Sequence, residues 1–193
     1  MGAAGGLFGA DVPEGFCHAE AFLSVDEERR LVAAIAAVEF STFEMRGVVA
    51  RRRVAFFGAT YDAALPASRP MPEFLFDLRS RLAAWARVPP EAFAMALINE
   101  YQPGAPIGWH RDAPQYEIVA GVSLLSACRM RFRPYVRPGL AAGSRPRRLA
   151  THELALEPRS AYLMTGAARQ AYEHHIPAVS SLRYSITFRT LRS

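Results

Sequence analysis

The chain has 193 residues, with 23 basic side chains against 18 acidic ones and a pI of about 9.7. Every base is an arginine, which excludes Schiff-base enzymes, Walker-A phosphate loops and protein-kinase cores, because each of these needs a lysine. Any fixed cation is therefore a guanidinium, which holds carboxylates or phosphates in two-pronged contacts. The net charge of +5 weakly favours a polyanionic partner.

The sequence gives no sign of disulfide bonds, zinc knuckles or membrane spans. Cys17 and Cys128 lie far apart and form no C-x-x-C motif. No apolar run approaches the roughly 18 residues of a membrane span, and the N-terminus lacks the charged and apolar regions of a signal peptide. We therefore expect a cytoplasmic monomer that does not associate with membranes.

The N-terminal half shows two helices. Residues 1–20 are rich in Gly and Ala and are predicted to be a loose lead-in. Ser24 and Glu27 form a capping-box pattern before apolar residues at helical spacing, which predicts a first helix. A second helix is predicted over 72–86. Between them, residues 40–62 predict a strand or hairpin that contains three consecutive arginines. The apolar stripe of the second helix is Leu75, Leu78, Leu82 and Trp85.

From about residue 95 the pattern changes to short strands separated by Pro/Gly turns. Residues 128–133 alternate strictly between apolar and charged, which is typical of a strand with one buried face. The many short strands predict a mainly β fold with flanking helices, built as a sandwich, barrel or jelly roll. Residues 134–149 are predicted to be an exposed, arginine-rich loop. The predicted strands are 95–102, 116–125, 128–133, 151–157, 160–165, 171–176 and 183–190.

Polar residues recur at even spacing in this half. Asn99 and Tyr101 are two apart on a predicted strand and therefore face the same side. His110 and Asp112 are also two apart, just after a Pro/Gly-rich turn. An H-x-D pair with a distant histidine makes the two-histidine, one-carboxylate triad that suits non-haem Fe(II). The residues alone leave two neighbours, at 174 and 175, as the third ligand.

The last predicted strand carries polar side chains on one face and apolar side chains on the other. Tyr184, Ile186 and Phe188 would pack against the core. The opposite face would be costly to bury without partners, so it is either exposed to solvent or part of a binding site. That polar face consists of Arg183, Ser185, Thr187 and Arg189.

Two stretches of the sequence resemble the AlkB family of Fe(II)- and 2-oxoglutarate-dependent dioxygenases. They are N-E-Y-Q-P-G-A-P-I-G-W-H-R-D, at 99–112, and the ending H-H-I-P…R-Y-S-I-T-F-R, at 174–189. The resemblance implies a double-stranded β-helix, a jelly-roll or cupin-like core. It further implies one domain over 1–193, with N-terminal helices and a substrate lid in 1–94 and the β-helix core in 95–192.

The resemblance also assigns roles to residues. His110, Asp112 and His174 would bind Fe(II) and form the catalytic centre, with His174 rather than its neighbour as the third ligand. Arg183 and Arg189 would hold the two carboxylates of the cosubstrate 2-oxoglutarate. The remaining cosubstrate-binding residues would be the polar side chains Asn99, Tyr101, Ser185 and Thr187.

The implied reaction is oxidative demethylation of alkylated nucleobases in DNA or RNA, with O₂ consumed and succinate, CO₂ and formaldehyde released. Pro114 departs from the acidic residue that nucleobase-repair members usually carry there. The alternatives are a dioxygenase acting on a protein side chain or small metabolite, and a non-catalytic cupin-like binding module. Two groups of arginines are expected either at a solvated edge or against phosphates. They are the triplet Arg51–Arg53 and the loop arginines Arg137, Arg145, Arg147 and Arg148.

Overall fold

The computed structural model describes residues 12–45, 48–59, 69–136 and 151–192. Its strands are β1 (Phe16–Ala19), β2 (Ser41–Met45), β3 (Val48–Gly58), β4 (Phe93–Tyr101), β5 (Ile107–His110), β6 (Tyr116–Leu124), β7 (Cys128–Pro134), β8 (His152–Leu156), β9 (Ala161–Met164), β10 (Tyr172–Ile176) and β11 (Arg183–Leu191). Its α-helices are α1 (Val25–Ile35), α2 (Phe76–Ala86) and α3 (Gly166–Gln170).

The strands form two antiparallel sheets. The larger sheet has the order β1-β9-β6-β11-β4-β3-β2, and the smaller one has the order β5-β10-β7-β8. Phe16 of the larger sheet and Phe132 of the smaller one meet edge to face, with ring centroids 5.0 Å apart, so the two sheets pack against each other. This arrangement is the predicted jelly roll with flanking helices.

Helices α1 and α2 cover the outer face of the larger sheet. Leu31 and Ile35 of α1 and Leu82 of α2 are buried in one apolar cluster with Ile186 and Phe188 of β11. A second apolar cluster lies between the two sheets. The core is therefore layered as helices, large sheet and small sheet, and β11 lies near the centre of the large sheet.

Both predicted helices form. Ser24 Oγ accepts a hydrogen bond from the Glu27 amide (3.2 Å), and Glu27 Oε2 accepts one from the Ser24 amide (2.7 Å), so the capping box is present. The second helix starts as a 3-10 turn at Glu73–Leu75 and becomes α-helical at Phe76, four residues after its predicted start. Its apolar stripe is buried as predicted, although Trp85 is only partly covered.

The prediction of a loose lead-in over 1–20 is wrong for its last part, because Phe16–Ala19 pair with Ala161–Met164. The tetrapeptide is too short for a periodic pattern, and its partner strand is about 145 residues away in sequence. The hairpin predicted in 40–62 forms as β2 and β3, and β3 pairs with β4. The large sheet therefore runs across the boundary expected between residues 94 and 95.

The seven strands predicted after residue 95 are present within two residues of their expected ends. The sequence pattern missed β5, a four-residue strand that pairs with β10. Most of the loop predicted at 134–149, including its arginines at 137, 145, 147 and 148, lies outside the described residues. In the described part of the chain, no helix is both long and apolar enough to cross a bilayer.

Candidate active site

The polar face of β11 lines a cavity of about 250 Å³. Arg183, Ser185, Thr187 and Arg189 are all buried there, and Arg183 is fully inaccessible to solvent. The sequence left open whether this face meets solvent or a binding site, and the structure places it on a cavity. The alternate residues of the same strand pack in the helix-covered cluster.

Three further predicted side chains meet at this cavity. His110 ends β5 and lies opposite His174 of β10 in the register of the two strands, and their ring centroids are 4.1 Å apart. Asp112 follows β5 directly, and its Oδ2 is 3.7 Å from His174 Nε2. All three line the cavity, so the pairing of β5 with β10 brings together residues 62 and 64 positions apart in the sequence.

The alternation of β10 separates the two adjacent histidines. His174 is buried and lines the cavity. His175 lies on the other face of the strand, where its ring stacks on Trp109 at a centroid distance of 5.0 Å. Trp109 also receives the guanidinium of Arg133, 4.5 Å from its ring centroid. Trp109 therefore packs against His175 and Arg133 of its own chain.

Burial and neighbouring charges set the protonation of the three side chains. Burial, with some help from His110, lowers the pKa of His174 to about 3, and burial also lowers the pKa of His110. Burial would raise the pKa of Asp112, but Arg189 and the two histidines hold that pKa well below its usual range. At neutral pH the group therefore consists of two neutral imidazoles and one carboxylate, each with lone pairs to donate.

The donor atoms of this group fit a divalent iron. Two imidazoles and one carboxylate form the set that suits non-haem Fe(II). His110 Nδ1 lies 2.9 Å from the Gly108 carbonyl oxygen, which favours a protonated Nδ1 and leaves the Nε2 lone pair available. Asp112 Oδ2 is buried and has no hydrogen-bond partner among the described residues. Within that same part of the chain, no group of three His, Cys, Asp or Glu side chains has the geometry of a formed metal site.

The two arginines of β11 lie in different surroundings. Arg183 donates from Nε to Ser123 Oγ (3.1 Å), and its guanidinium lies 5.0 Å from the ring centroid of Tyr101. Its Nη1 is buried without a hydrogen-bond partner among the described residues. Arg189 donates from Nε (3.1 Å) and Nη2 (2.8 Å) to Asp112 Oδ1, a contact that the sequence did not predict.

A chain of polar contacts crosses the cavity wall from β11 to β3. Asn99 Nδ2 donates a hydrogen bond to Ser185 Oγ (3.3 Å). Asn99 Oδ1 in turn accepts from Arg52 Nε (3.2 Å). Tyr101 is buried in the same wall. The structure thus brings all the predicted cosubstrate residues to one cavity.

The arginine triplet is divided by strand alternation. Arg52 lines the cavity, whereas Arg53 forms a two-pronged ion pair with Glu100 on the opposite face (2.8 and 2.9 Å). Arg51 is exposed. The three side chains therefore do not form one basic surface, and only Arg52 reaches the site.

Two supporting residues escaped the sequence analysis. Ser123 of β6 holds Arg183. Arg169 of α3 is buried and donates to the carbonyl oxygens of Ala113 and Tyr116, which fixes the segment directly after Asp112. Neither belongs to a motif, and each acts on residues more than 50 positions away, so no local signal marks them.

The comparison with protein families decides the class of the protein. The model of the 2OG-Fe(II) oxygenase superfamily matches residues 15–189. The chain belongs to this superfamily. As a 2OG-Fe(II) oxygenase it is an oxidoreductase that uses Fe(II) as cofactor and 2-oxoglutarate and O₂ as cosubstrates. No curated protein matches the sequence.

Solved structures share the fold of this oxygenase at low sequence identity. OsALKBH1 superposes with a TM-score of 0.63 at 15% identity, over 93% of this chain and 99% of its own. A prolyl-4-hydroxylase from Pseudomonas putida gives 0.61 at 14%, over 93% and 94%. A 2OG-Fe(II) oxygenase family oxidoreductase from Burkholderia pseudomallei gives 0.64 at 19%, over 93% and 86%. At these identities the likeness supports the jelly-roll fold alone.

Proposed function

We propose that this 2OG-Fe(II) oxygenase is of the AlkB type and demethylates alkylated nucleobases in DNA or RNA, releasing succinate, CO₂ and formaldehyde. One observation carries the proposal: the two AlkB-like stretches, 99–112 and 174–189, are far apart in the sequence yet line the same cavity. Unrelated chance matches to short motifs have no reason to meet in space.

In this proposal His110, Asp112 and His174 hold the iron. The neutral state of both imidazoles favours metal binding, because neither has to lose a proton first. Arg189 keeps the Asp112 carboxylate ionised and oriented. When bound, the iron supplies the oxidation of a substrate C–H bond, while the protein supplies orientation and a cavity shielded from water.

The cosubstrate lies between the two arginines of β11. Their Cα atoms are separated by about 20 Å at the usual strand rise, so they hold different ends of 2-oxoglutarate. Arg189 contacts Asp112 and therefore serves the end beside the metal. Arg183 serves the far carboxylate, which would satisfy its buried Nη1, an atom with no hydrogen-bond partner in the described part of the chain. Asn99, Tyr101, Ser185 and Thr187 form the wall between these two positions.

The nucleobase substrate has three supports. They are the resemblance of the two stretches to the AlkB family, the net charge of +5 and the arginines that line the cavity. The likeness to a prolyl-4-hydroxylase at 14% identity is one of fold and does not favour a peptide substrate. Pro114, where nucleobase-repair members usually carry an acidic residue, lines a second cavity with Asp112, Arg169 and Gln170.

A mass-spectrometric screen tests the proposal. The protein is loaded with Fe(II) and 2-oxoglutarate in air and given single-stranded oligonucleotides that carry different N-methylated bases. We expect one methyl group to be lost from at least one oligonucleotide, with succinate formed in equal amount. Succinate release without any methyl loss would contradict the nucleobase substrate and favour a protein or small-metabolite substrate. No succinate with any of the oligonucleotides would also contradict the nucleobase substrate.

A further inference from the structure

We infer that Arg52 binds a phosphodiester of the primary substrate, next to the methylated base. This inference rests on the proposed nucleobase substrate and adds to it a residue that recognises the backbone. Arg52 belongs to β3, a strand outside both AlkB-like stretches, and it is the member of the arginine triplet that enters the cavity.

The charges of the cavity leave room for a further anion. Four arginines line it, and among its described lining residues Asp112 is the only carboxylate. Fe(II) and the 2-oxoglutarate dianion cancel each other, so loading the enzyme does not neutralise the excess of guanidinium groups. An anionic group of the substrate would be attracted to a cavity in which the described guanidinium groups outnumber the described carboxylates. The four arginines are Arg52, Arg111, Arg183 and Arg189.

Arg52 reaches the cavity from β3, whereas the other three arginines belong to β11 or directly follow β5. Arg189 is engaged by Asp112, and Arg183 is fully buried against Ser123. Arg111 lies over the Tyr135 ring, 3.5 Å from its centroid. Arg52 is half-buried at the side of the cavity formed by β3, and the contact of its Nε with Asn99 orients the guanidinium.

A second cavity of about 280 Å³ extends the positive charge beyond the metal group. It shares Arg111 and Asp112 with the first cavity and is lined further by Arg169 and Arg192. Among its described lining residues Asp112 is again the only acidic one, and Arg189 already pairs with it. Arginines in two cavities that share Asp112 suit a polyanion whose backbone continues past the reacting base, more than a ligand with one carboxylate.

The test compares Arg52→Gln with the matched control Arg51→Gln, which removes the same charge from the neighbouring exposed position of β3. Binding is measured anaerobically on the Fe(II)–2-oxoglutarate protein. Three probes are used: a single-stranded trinucleotide with a central 1-methyladenine, 1-methyladenosine 5′-monophosphate, and the nucleoside 1-methyladenosine. Arg52→Lys is the conservative variant, and thermal melting confirms that each variant is folded.

We expect Arg52→Gln to weaken trinucleotide binding about tenfold, because a charge-assisted contact is lost. Nucleoside affinity should fall by a much smaller factor, because the nucleoside has no phosphate. Any rise in the Kd of 2-oxoglutarate through the lost Arg52–Asn99 contact should also stay well below the loss of trinucleotide affinity. The slope of log K against log[salt] should fall by about 0.7, the value of one phosphate contact on a single strand. Arg52→Lys should recover the salt slope but only part of the affinity, and Arg51→Gln should lose less affinity than Arg52→Gln.

An unchanged trinucleotide affinity in Arg52→Gln, or no wild-type binding of either phosphate-bearing probe, overturns the inference. A selective rise in the Kd of 2-oxoglutarate overturns it too, by placing Arg52 in the cosubstrate pocket. If the monophosphate binds as tightly as the trinucleotide, the phosphodiester assignment is overturned, and a small phosphorylated substrate is favoured instead. Arg52-dependent binding without methyl loss in any assay keeps the inference and removes only the proposed demethylation.

Discussion

The two faces of β11 are both buried, yet they differ completely in what they bury. One face packs Tyr184, Ile186 and Phe188 against the helices. The other lines the cavity with polar side chains, and each of these has a partner. The pairs are Arg183 with Ser123, Ser185 with Asn99, Thr187 with the Leu97 carbonyl and Arg189 with Asp112.

This contrast shows how one strand serves stability and chemistry at once. Successive side chains point to opposite sides, so the apolar face contributes burial energy while the polar face is held ready for ligands. Buried polar groups are tolerated only when they are hydrogen-bonded, which explains the partners on the cavity side. The same division recurs on β10, where His174 faces the cavity and His175 faces outward. Mutations on the two sides should therefore affect different measurements.

The largest effect is expected for His174→Ala. It removes one of the three proposed iron ligands, so succinate release should fall more than about 100-fold. Removing a residue that only hydrogen-bonds to a metal ligand typically costs about 10–100-fold, and loss of the ligand itself should cost more. His175→Ala is the matched control, because it alters the adjacent residue on the outer face, and it should keep most of the activity. Coupled succinate assays and Fe(II) titration of both variants give the answer. The reverse pattern would make His175 the ligand.

Phe188→Ala changes the apolar face of β11 and should therefore lower stability. The ring is fully buried, 6.0 Å from that of Phe93, and its removal leaves a cavity in the helix-side core. The free energy of unfolding should fall by about 3–5 kcal/mol. Urea denaturation measures it, with the exposed Leu191→Ala as a control that should cost less than about 1 kcal/mol.

The 2-oxoglutarate affinity of folded Phe188→Ala should stay within about twofold of wild type, since the site is on the opposite face. A loss of affinity comparable to that of a cavity-side variant would show that the two faces of β11 are not energetically separate.

Arg189→Lys should affect ligand binding more than folding. An ammonium keeps the charge but cannot hold Asp112 and Thr187 together, as the guanidinium does. We expect the Kd of 2-oxoglutarate to rise about tenfold, measured by isothermal titration of the metal-loaded protein. Arg129→Lys, an exposed arginine paired with Glu153, is the control and should change nothing measurable. A near-normal Kd for Arg189→Lys would contradict the pocket as described.

Much of the fold could be predicted from sequence, because long strands with strict alternation carry a strong local signal. Strand β11 and its two faces are the clearest case, and the capping box of α1 is another. Strands β1 and β5 were missed, since four residues are too few to show a periodic pattern. Their pairing is decided by partners 142–148 and 64–69 positions away in the sequence. Tertiary pairing alone makes these segments strands.

The candidate site likewise has features that could be predicted from the sequence and features that could not. The motif residues could be picked out by their spacing, and the pairing of β5 with β10 explains why His110 and His174 meet. The contact of Arg189 with Asp112 could not be foreseen, because it depends on how two sheets face each other. Strand alternation predicts that Arg52 and Arg53 point to opposite faces of β3. The triplet alone does not indicate which of these faces borders the cavity.

The metal-free protein should also show a pH dependence of stability. His174 and His110 have lowered pKa values in the folded state, so the unfolded chain binds more protons below pH ~6.5. Their contribution is therefore fully present above pH ~6.5 and is lost as the pH falls, by up to about 1.4 kcal/mol per pH unit for each group. Asp112, whose folded pKa is also lowered, contributes in full above its unfolded value near 3.8 and loses that contribution only below it.

The window between pH ~6.5 and ~4.5 therefore isolates the histidines from that carboxylate. Burial also lowers the pKa of His18 and His175, so wild type alone would not separate the cavity from the rest of the chain. His174→Gln should flatten the dependence of unfolding free energy on pH in this window, and His175→Gln should flatten it less, because His175 is less deeply buried. Equal slopes in the two variants would mean that the inward and outward sides of β10 are not electrostatically distinct, against the division seen on β11.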